Sequence, residues 1–282
     1  MDTAHRPRGV TALCAFFGFG AGMAIAVLAV NALGDTINAL VRHDFRTLIG
    51  VPIAAAMIYY VWRISEGEAM DPKRHWEKIY QTNSSDEVSW FQAEAGRSLE
   101  LIQRVAPSPA SAILDVGAGA STLVDGLLHA GYHTITVLDL SATALTQARA
   151  RLGEAATQVM WLEADILDVQ LQEATVDVWH DRAVFHFLTD AAARRRYVEQ
   201  VRCAVRPGGH VLIATFAADG PTQCSGLDVA RYTPESLHGE FGDSFTLLSS
   251  SREEHLTPWG AAQAFVYCLC RHQSGSRAQP PA

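Results

Sequence analysis

The sequence has little positive charge and few cysteines. It carries 22 Lys and Arg against 30 Asp and Glu in 282 residues, a formal net charge of −8 at pH 7, and the basic residues form no stripe. Tight binding to a nucleic-acid backbone requires a basic surface, so we predict no nucleic-acid partner. The five cysteines, without a Cys-x-x-Cys pair or a His-rich ligand spacing, indicate a reducing compartment and no structural metal site.

Charge is missing altogether from one long run near the N-terminus. Residues 10–33 are 24 residues without Asp, Glu, Lys or Arg, and a helix at about 1.5 Å per residue would let them cross a bilayer core of roughly 30 Å. A second apolar run, 45–63, is shorter, contains Pro52 and ends among aromatic residues typical of a membrane interface. We therefore predict an α-helical membrane hairpin in an N-terminal module, residues 1–66; a buried hairpin of a soluble protein is the alternative.

A glycine turn is the most informative motif in the rest of the chain. Residues 112–122 read Ala-Ile-Leu-Asp-Val-Gly-Ala-Gly-Ala-Ser-Thr, an apolar run, a Gly-x-Gly turn and a stretch that suits a helix. Because glycine has no Cβ, such a turn lets a nucleotide-like ligand approach the backbone closely. Asp139 stands 20 residues after Gly119 and ends the next apolar run, where an acid that binds a ribose is expected.

The residues around this turn distinguish between two classes of ligand. Asp115, two residues before Gly117, would repel the pyrophosphate of a dinucleotide and attract a cation. Thr122 also stands where a dinucleotide site usually has its third glycine. S-adenosylmethionine (SAM) has a sulfonium and an α-ammonium group and no phosphate, so the sequence favours SAM over NAD as the cofactor.

Five motifs, in this order and spacing, resemble those of class I SAM-dependent methyltransferases. They are Leu-Asp-Val-Gly-Ala-Gly (114–119), Val-Leu-Asp-Leu-Ser (137–141), Glu-Ala-Asp-Ile (163–166), Asp-Val-Trp-His-Asp-Arg-Ala-Val-Phe-His-Phe-Leu (177–188) and Arg-Pro-Gly-Gly-His-Val-Leu-Ile (206–213). The chain is similar to the thiopurine and other small-molecule branches and to the lysine methyltransferase-like branch. The resemblance implies a methyltransferase domain over 71–271, with a doubly wound α/β fold and a mostly parallel, Rossmann-like sheet of seven strands. The tail, 272–282, is expected to be disordered.

The resemblance also implies which residues bind SAM. The glycine turn would approach the methionine part, Asp139 would hold the ribose hydroxyls, and Asp165 would accept from the adenine amine. Aromatic rings from an N-terminal cover would lie near the sulfonium as cation–π partners, with simple packing as the alternative. The predicted cofactor-binding residues are Trp76, Tyr80, Trp90, Asp115, Gly117, Gly119, Asp139, Leu140, Asp165, Ile166 and Arg182.

The alternation of apolar runs and helix-compatible segments predicts where the elements lie. Two helical segments are expected within 73–105, ahead of the sheet. The expected strands are at about 112–117, 133–139, 157–163, 175–180 and 209–215, with a reversed hairpin from runs 244–250 and 261–270. The expected helices of the body are at about 120–130, 141–152 and 189–205.

The stretch after the fourth predicted strand is expected to face the methyl acceptor. His180, Asp181 and His186 are the predicted catalytic residues, because a histidine takes up a proton near neutral pH. A hydrogen-bonded, half-buried histidine is the alternative, since methyl transfer to a thiolate or amine needs alignment more than it needs a base. The turn-rich segment 216–226 is the candidate acceptor loop.

These features together predict a methyltransferase that moves the methyl group of SAM to a small-molecule acceptor, such as a thiol, a carboxylate or a lipophilic metabolite. A protein-lysine methyltransferase and a SAM-binding module without catalysis are the alternatives. Intact glycines and three acids at strand ends argue against the module, because a degenerate domain tends to lose them.

The flanks of the two hydrophobic runs predict their orientation. Basic residues concentrate outside the runs rather than in the loop between them, which favours both termini inside. SAM is a cytosolic metabolite, so we expect a cytoplasmic (inner) membrane location with the catalytic domain facing the cytoplasm. Gly18 and Gly22 form a Gly-x-x-x-Gly pair, which raises homodimerisation as a further prediction. A translation start at Met70 is the alternative to a fused membrane module.

Overall fold

Aliphatic and β-branched runs of the chain form the strands of a single large sheet in the computed structural model, which describes residues 71–273. The predicted membrane runs 10–33 and 45–63, the Gly18 and Gly22 pair and residues 274–282 lie outside the described residues. Among the helices of the described part, none is long and apolar enough to cross a membrane.

The main sheet has seven strands in the order β3-β2-β1-β4-β5-β9-β8. The pairs among the first five strands are parallel, whereas β9 runs antiparallel to both β5 and β8. A separate short hairpin joins β6 to β7. The strands are β1 Ala112–Val116, β2 Thr134–Asp139, β3 Val159–Glu163, β4 Val176–Arg182, β5 Val205–Phe216, β6 Gln223–Cys224, β7 Leu227–Asp228, β8 Phe245–Leu256 and β9 Ala262–His272. The predicted doubly wound α/β fold with a mostly parallel seven-stranded sheet is confirmed.

Two helices precede the sheet and four lie between or after its strands. The first two form the N-terminal cover that the sequence predicted within 73–105. The helices are α1 Pro72–Thr82, α2 Gly96–Val105, α3 Leu123–His129, α4 Ala142–Leu152, α5 Ala191–Ala204 and α6 Pro234–Phe241. Short 3-10 turns occupy Gly153–Gln158, Phe185–Phe187 and Gly242–Ser244.

Each face of the sheet packs its own apolar layer. On one face the Trp179 indole N–H donates to the Tyr197 hydroxyl at 2.9 Å, which fixes β4 against α5. On the other face Ile102 of α2, Leu212 and Phe265 belong to a second buried cluster. Because consecutive strand residues point to opposite faces, neighbours at the end of β4 reach different layers, which matters for the site below.

Several expected boundaries differ from the observed ones. Helix α3 begins at Leu123 rather than near 120, because the glycine turn continues until the Ser121 hydroxyl accepts the Leu123 N–H at 3.1 Å. Strand β5 begins at Val205, four residues early, because Val205 pairs with Val176 across a bulge. Strands β8 and β9 extend beyond the predicted runs because they pair along their whole lengths, from Phe245 opposite His272 to Leu256 opposite Ala262.

Candidate functional site

The glycine turn after β1 has no room for a side chain at either glycine. Gly117 and Gly119 both have positive φ, +59° and +54°, which L side chains rarely adopt. A Cβ on Gly117 would lie 1.9 Å from Cγ2 of Val184, and one on Gly119 would lie 2.1 Å from the Tyr80 hydroxyl. The turn lies at the carboxyl end of the sheet, where α/β proteins bind ligands.

Asp139 ends β2 beside this turn. Its carboxylate is buried and accepts the Gly119 N–H at 2.7 Å with one oxygen and the Ser141 N–H at 2.8 Å with the other. Burial raises the pKa of Asp139 to about 6, against the lowering effect of these two hydrogen bonds. A carboxylate oxygen accepts about two hydrogen bonds, so each oxygen retains capacity for a ligand hydroxyl.

Asp115 lies at one end of a buried polar chain that has His180 at its centre. One of its oxygens is 2.6 Å from Nδ1 of His180, and Nε2 of His180 is 2.8 Å from the Ser98 hydroxyl. All three side chains are almost completely buried. The second oxygen of Asp115, Oδ2, is also buried and has no hydrogen-bond partner in the protein.

Arg182 is the last residue of β4 and lies on the same sheet face. Its Nε donates to the Tyr267 hydroxyl and its Nη1 to the Trp90 carbonyl, both at 3.1 Å, while its guanidinium lies over the Phe265 ring at 4.3 Å. Its remaining nitrogen, Nη2, is buried without a partner. Arg182 and Asp115 line one pocket together with Gly117, so two residues of opposite charge, each with a buried unpartnered atom, meet at the pocket of the glycine turn.

Aromatic residues of α1 and of the linker that follows it lie at this pocket. Tyr80 and Trp90 line it directly, and their rings meet edge to face at 6.2 Å. Trp76 packs edge to face on Trp90 at 5.7 Å and on Phe187 at 5.0 Å. The three predicted aromatic residues thus form one cluster, in which Tyr80 and Trp90 line the pocket and Trp76 supports them.

The linker between α1 and α2, residues 83–95, is fixed over the strand ends by long-range hydrogen bonds and is called the cover segment below. The Gln92 amide donates to Glu253 of β8 at 2.9 Å. The Ser89 carbonyl is 2.7 Å from Nε2 of His255, also on β8. Together with the bond from Arg182 to Trp90, these contacts connect the cover segment to both β4 and β8.

Two of the predicted catalytic residues point to the other face or into the core. Asp181 accepts the N–H groups of Val184 and Phe185 at 2.9 and 3.0 Å and the Tyr197 hydroxyl at 2.5 Å, and burial raises its pKa to about 6. His186 is fully buried, and its Nδ1 accepts the backbone N–H of Phe216 at 3.3 Å. Burial, assisted by the charge of Arg182, lowers the pKa of His186 to about 3, so its imidazole is neutral at physiological pH.

The remaining predicted cofactor residues lie after β2 and β3. Leu140 is half-buried, directly after Asp139. The Asp165 carboxylate accepts the Leu167 N–H at 2.8 Å and stabilises the turn after β3, with its side chain partly accessible. Ile166 is buried and packs in the core cluster that contains Leu138.

Sequence reasoning missed Ser98, Glu253 and Tyr267, which contact predicted site residues. No local sequence signal marks these residues. Ser98 contacts His180 only because helix α2 packs against β4 in the folded protein. Glu253 and Tyr267 lie opposite the cover segment and Arg182 only because β8 and β9 fold back beside β5.

Comparison with known proteins agrees with the geometry. Residues 113–209 match a family model described as a methyltransferase domain. An uncharacterized methyltransferase of Mycobacterium tuberculosis is 30% identical over 131 residues, which are 45% of this chain and 60% of that protein. The chain thus spans less than two thirds of the length of this curated relative. The human EEF1A lysine methyltransferase 2 is 24% identical over 67% of this chain and 79% of its own length.

Solved structures share the fold. The N-methyltransferase NodS from Bradyrhizobium japonicum, in complex with S-adenosylhomocysteine (SAH), superposes with a TM-score of 0.54 at 17% identity, over 70% of this chain and 98% of its own. A Burkholderia thailandensis 1,6-didemethyltoxoflavin-N1-methyltransferase with bound 1,6-didemethyltoxoflavin and SAH gives 0.52 at 17% identity, over 80% and 90% of the two chains. The described domain has the Rossmann-like methyltransferase fold. The match over residues 113–209 agrees with the predicted enzyme class, a methyltransferase domain. The SAH in the two solved structures agrees with SAM as the predicted cofactor.

Proposed function

We propose that the chain as a whole is a SAM-dependent methyltransferase, and one observation carries the proposal. Asp115 Oδ2 and Arg182 Nη2 are buried atoms of opposite charge without protein partners, and both residues line the pocket of the glycine turn. The α-ammonium and α-carboxylate of SAM are the complementary pair. Binding this zwitterion relieves the desolvation cost of two buried groups at once.

The other residues of the site fit the remaining parts of the same ligand. Asp139 has spare acceptor capacity for the two ribose hydroxyls, and the faces of the Tyr80 and Trp90 rings suit a sulfonium as cation–π partners. When bound, SAM supplies an electrophilic methyl group on its sulfonium. The protein then has to orient the acceptor in line with that methyl group and exclude water, for which alignment is more important than a strong base.

Calorimetry with SAH tests the cofactor assignment. We expect Asp115→Ala and Arg182→Met each to weaken SAH binding about 10- to 100-fold, the range for a lost charge-assisted hydrogen bond. Asp219→Asn is the matched control, because Asp219 pairs with Arg252 on the exposed surface. A folded wild-type protein that binds neither SAM nor SAH contradicts the proposal.

For the acceptor we propose a small molecule rather than a protein lysine. The support is the cover segment, which hydrogen bonds to β4 and β8 hold over the strand ends. The Burkholderia structure contains a small-molecule acceptor, whereas the human relative is a lysine methyltransferase. A thiol, a carboxylate and a lipophilic metabolite are all candidates. Labelled SAM added to fractionated extract separates the two classes: label in protein contradicts a small-molecule acceptor.

We further propose that residues 10–33 tether this enzyme to the cytoplasmic membrane, with the catalytic domain in the cytoplasm. The support is the 24-residue run without charge, which can satisfy its backbone hydrogen bonds as one helix. Carbonate extraction of membranes tests the tether: the full chain should stay in the pellet and a fragment that begins at Met70 should not. Release of the full chain contradicts it.

A further inference from the structure

Ser98, His180 and Asp115 form a hydrogen-bonded chain that no step of methyl transfer requires. They come from α2, β4 and β1, and their exposed fractions are 1%, 3% and 2%. The register of the parallel pair β1–β4 places Asp115 beside His180, so both side chains point to the face that α2 covers. The chain is thus built by two strands and a helix and not by a flexible loop.

The hydrogen-bonding capacity of Asp115 fixes the direction of the inner bond of the chain. An ionised carboxylate only accepts, so Nδ1 of His180 carries the hydrogen and donates to Asp115. Nε2 of His180 lies within hydrogen-bond distance of the Ser98 hydroxyl, which can either donate to it or accept from it. Both ring nitrogens are engaged inside the protein, and neither is available to take a proton from a methyl acceptor.

We propose that His180, supported by Ser98, is a positioning residue that aims Asp115 at the ammonium group of SAM; this rests on the proposed function. A carboxylate turns freely about its terminal bond unless one oxygen is held. His180 holds Oδ1, whereas Oδ2 is buried and unpartnered, and Asp115 is one of the residues that line the glycine-turn pocket. The histidine therefore acts through Asp115 and does not touch the reacting atoms.

Two ligands distinguish this role from a structural one. SAH carries the α-ammonium group, whereas 5′-methylthioadenosine has the same adenosine and thioether but no amino-acid end. We expect His180→Ala to weaken SAH binding about tenfold or more, as for the loss of a charged hydrogen bond. Its affinity for 5′-methylthioadenosine should stay within about twofold of wild type, because that ligand makes no use of Asp115.

Conservative variants provide the rescue. In His180→Asn the amide nitrogen occupies nearly the place of Nδ1 and can still donate to Asp115, so we expect most of the SAH affinity to return. In His180→Gln the amide lies nearer to Ser98, and the loss should resemble that of His180→Ala. Ser98→Ala removes only the outer bond and should cost less than either.

Each result bears on the proposal in a defined way. Equal losses for both ligands, or no loss for SAH in His180→Ala, overturn it. A fall in kcat with unchanged SAH affinity also overturns it and indicates a general base instead. A wild-type protein that binds neither ligand refutes the proposed function itself, which is a separate failure.

Discussion

At Gly119 the backbone passes so close to Tyr80 that a single methyl group has no place. An Ala there would adopt φ near +54° and bring its Cβ 2.1 Å from the Tyr80 hydroxyl oxygen and 2.9 Å from its Cζ. We expect Gly119→Ala to lower the free energy of unfolding by about 2–4 kcal/mol, the sum of backbone strain and overpacking. Urea denaturation measures this change.

Two further variants separate the two causes. Gly131 also has positive φ, +87°, but its Cβ would meet nothing within 4 Å, so Gly131→Ala reports backbone strain alone, about 1 kcal/mol. Adding Tyr80→Phe to Gly119→Ala removes the hydroxyl and should restore only part of the loss, because Cζ and the strain remain. Full restoration of stability by Tyr80→Phe would show that the positive φ at position 119 does not contribute to the loss.

The raised pKa of Asp139 predicts that the affinity for the cofactor depends on pH. Burial places this pKa at about 6 in the free protein, and a protonated carboxyl is a poorer acceptor for two ribose hydroxyls. SAH affinity should therefore fall as the pH falls through 6, by at most about tenfold per pH unit. Calorimetry across this range measures it. Asp139→Asn should bind more weakly but without this pH dependence, and a parallel slope in both proteins would assign it to another group.

At the scale of elements, α1 is joined to the start of α4 by one carboxylate. Glu77 accepts the Ala142 N–H at 2.7 Å and the Ser141 hydroxyl at 3.1 Å, with longer contacts to the Thr143 N–H. These hydrogen bonds lower the pKa of Glu77, against the effect of burial, the largest single influence. The carboxylate thus caps a helix N-terminus from a different helix.

Removing this cap should loosen α1 over the pocket. We expect Glu77→Ala to lower the free energy of unfolding by about 1–2 kcal/mol and Glu77→Gln by about half as much, because the amide keeps one acceptor but loses the charge. Glu173→Ala, at an exposed position, is the control. Chemical denaturation measures the three variants. Equal stability of wild type and Glu77→Ala would show that the contact contributes nothing.

Elements were predictable from the sequence where apolar runs are long and bounded by turn residues. The expected strand near 133–139 agrees with β2 to one residue, because Asp139 ends both the run and the strand. Long-range pairing was not predictable: Val205 joins β5 by pairing with Val176, and no local pattern marks that bulge. The glycine turn was predictable because glycine at positive φ has a sequence signature, whereas the Ser98 contact to His180 depends on helix packing alone.

At the scale of the whole molecule, buried titratable groups set how stability changes with pH. The pKa of His186 falls to about 3 in the folded protein from an ordinary 6.5. Its contribution to stability is complete above pH 6.5 and is lost as the pH falls from 6.5 toward 3. Asp139 and Asp181, with pKa raised to about 6, act oppositely: their contribution is present at low pH and is lost as the pH rises from 3.8 through 6.

Replacing His186 separates its contribution to the pH dependence of stability from the contributions of Asp139 and Asp181. We expect the wild type to lose stability relative to His186→Asn on acidification below pH 6.5, by at most about 1.4 kcal/mol per pH unit. The Asn side chain can still accept the Phe216 N–H, so the comparison keeps that contact. Urea titrations at about pH 7.5, 6.5 and 5.5 measure the difference. A difference in unfolding free energy that stays constant across these pH values would mean that the pKa of His186 is the same in the folded and unfolded states.

The edge strand of the antiparallel pair β8–β9 can change in sequence with little effect on the rest of the sheet. Strand β8 is at the edge of the sheet and bonds only to β9 there, so substitutions along it leave every parallel strand pair intact. Glu253 and His255 on this edge nevertheless reach the cover segment above the pocket. Substitutions along this peripheral strand can therefore alter the cover segment above the pocket while Asp115 and the glycine turn stay unchanged. A library of substitutions confined to that edge would vary the surroundings of the pocket without altering the glycine turn.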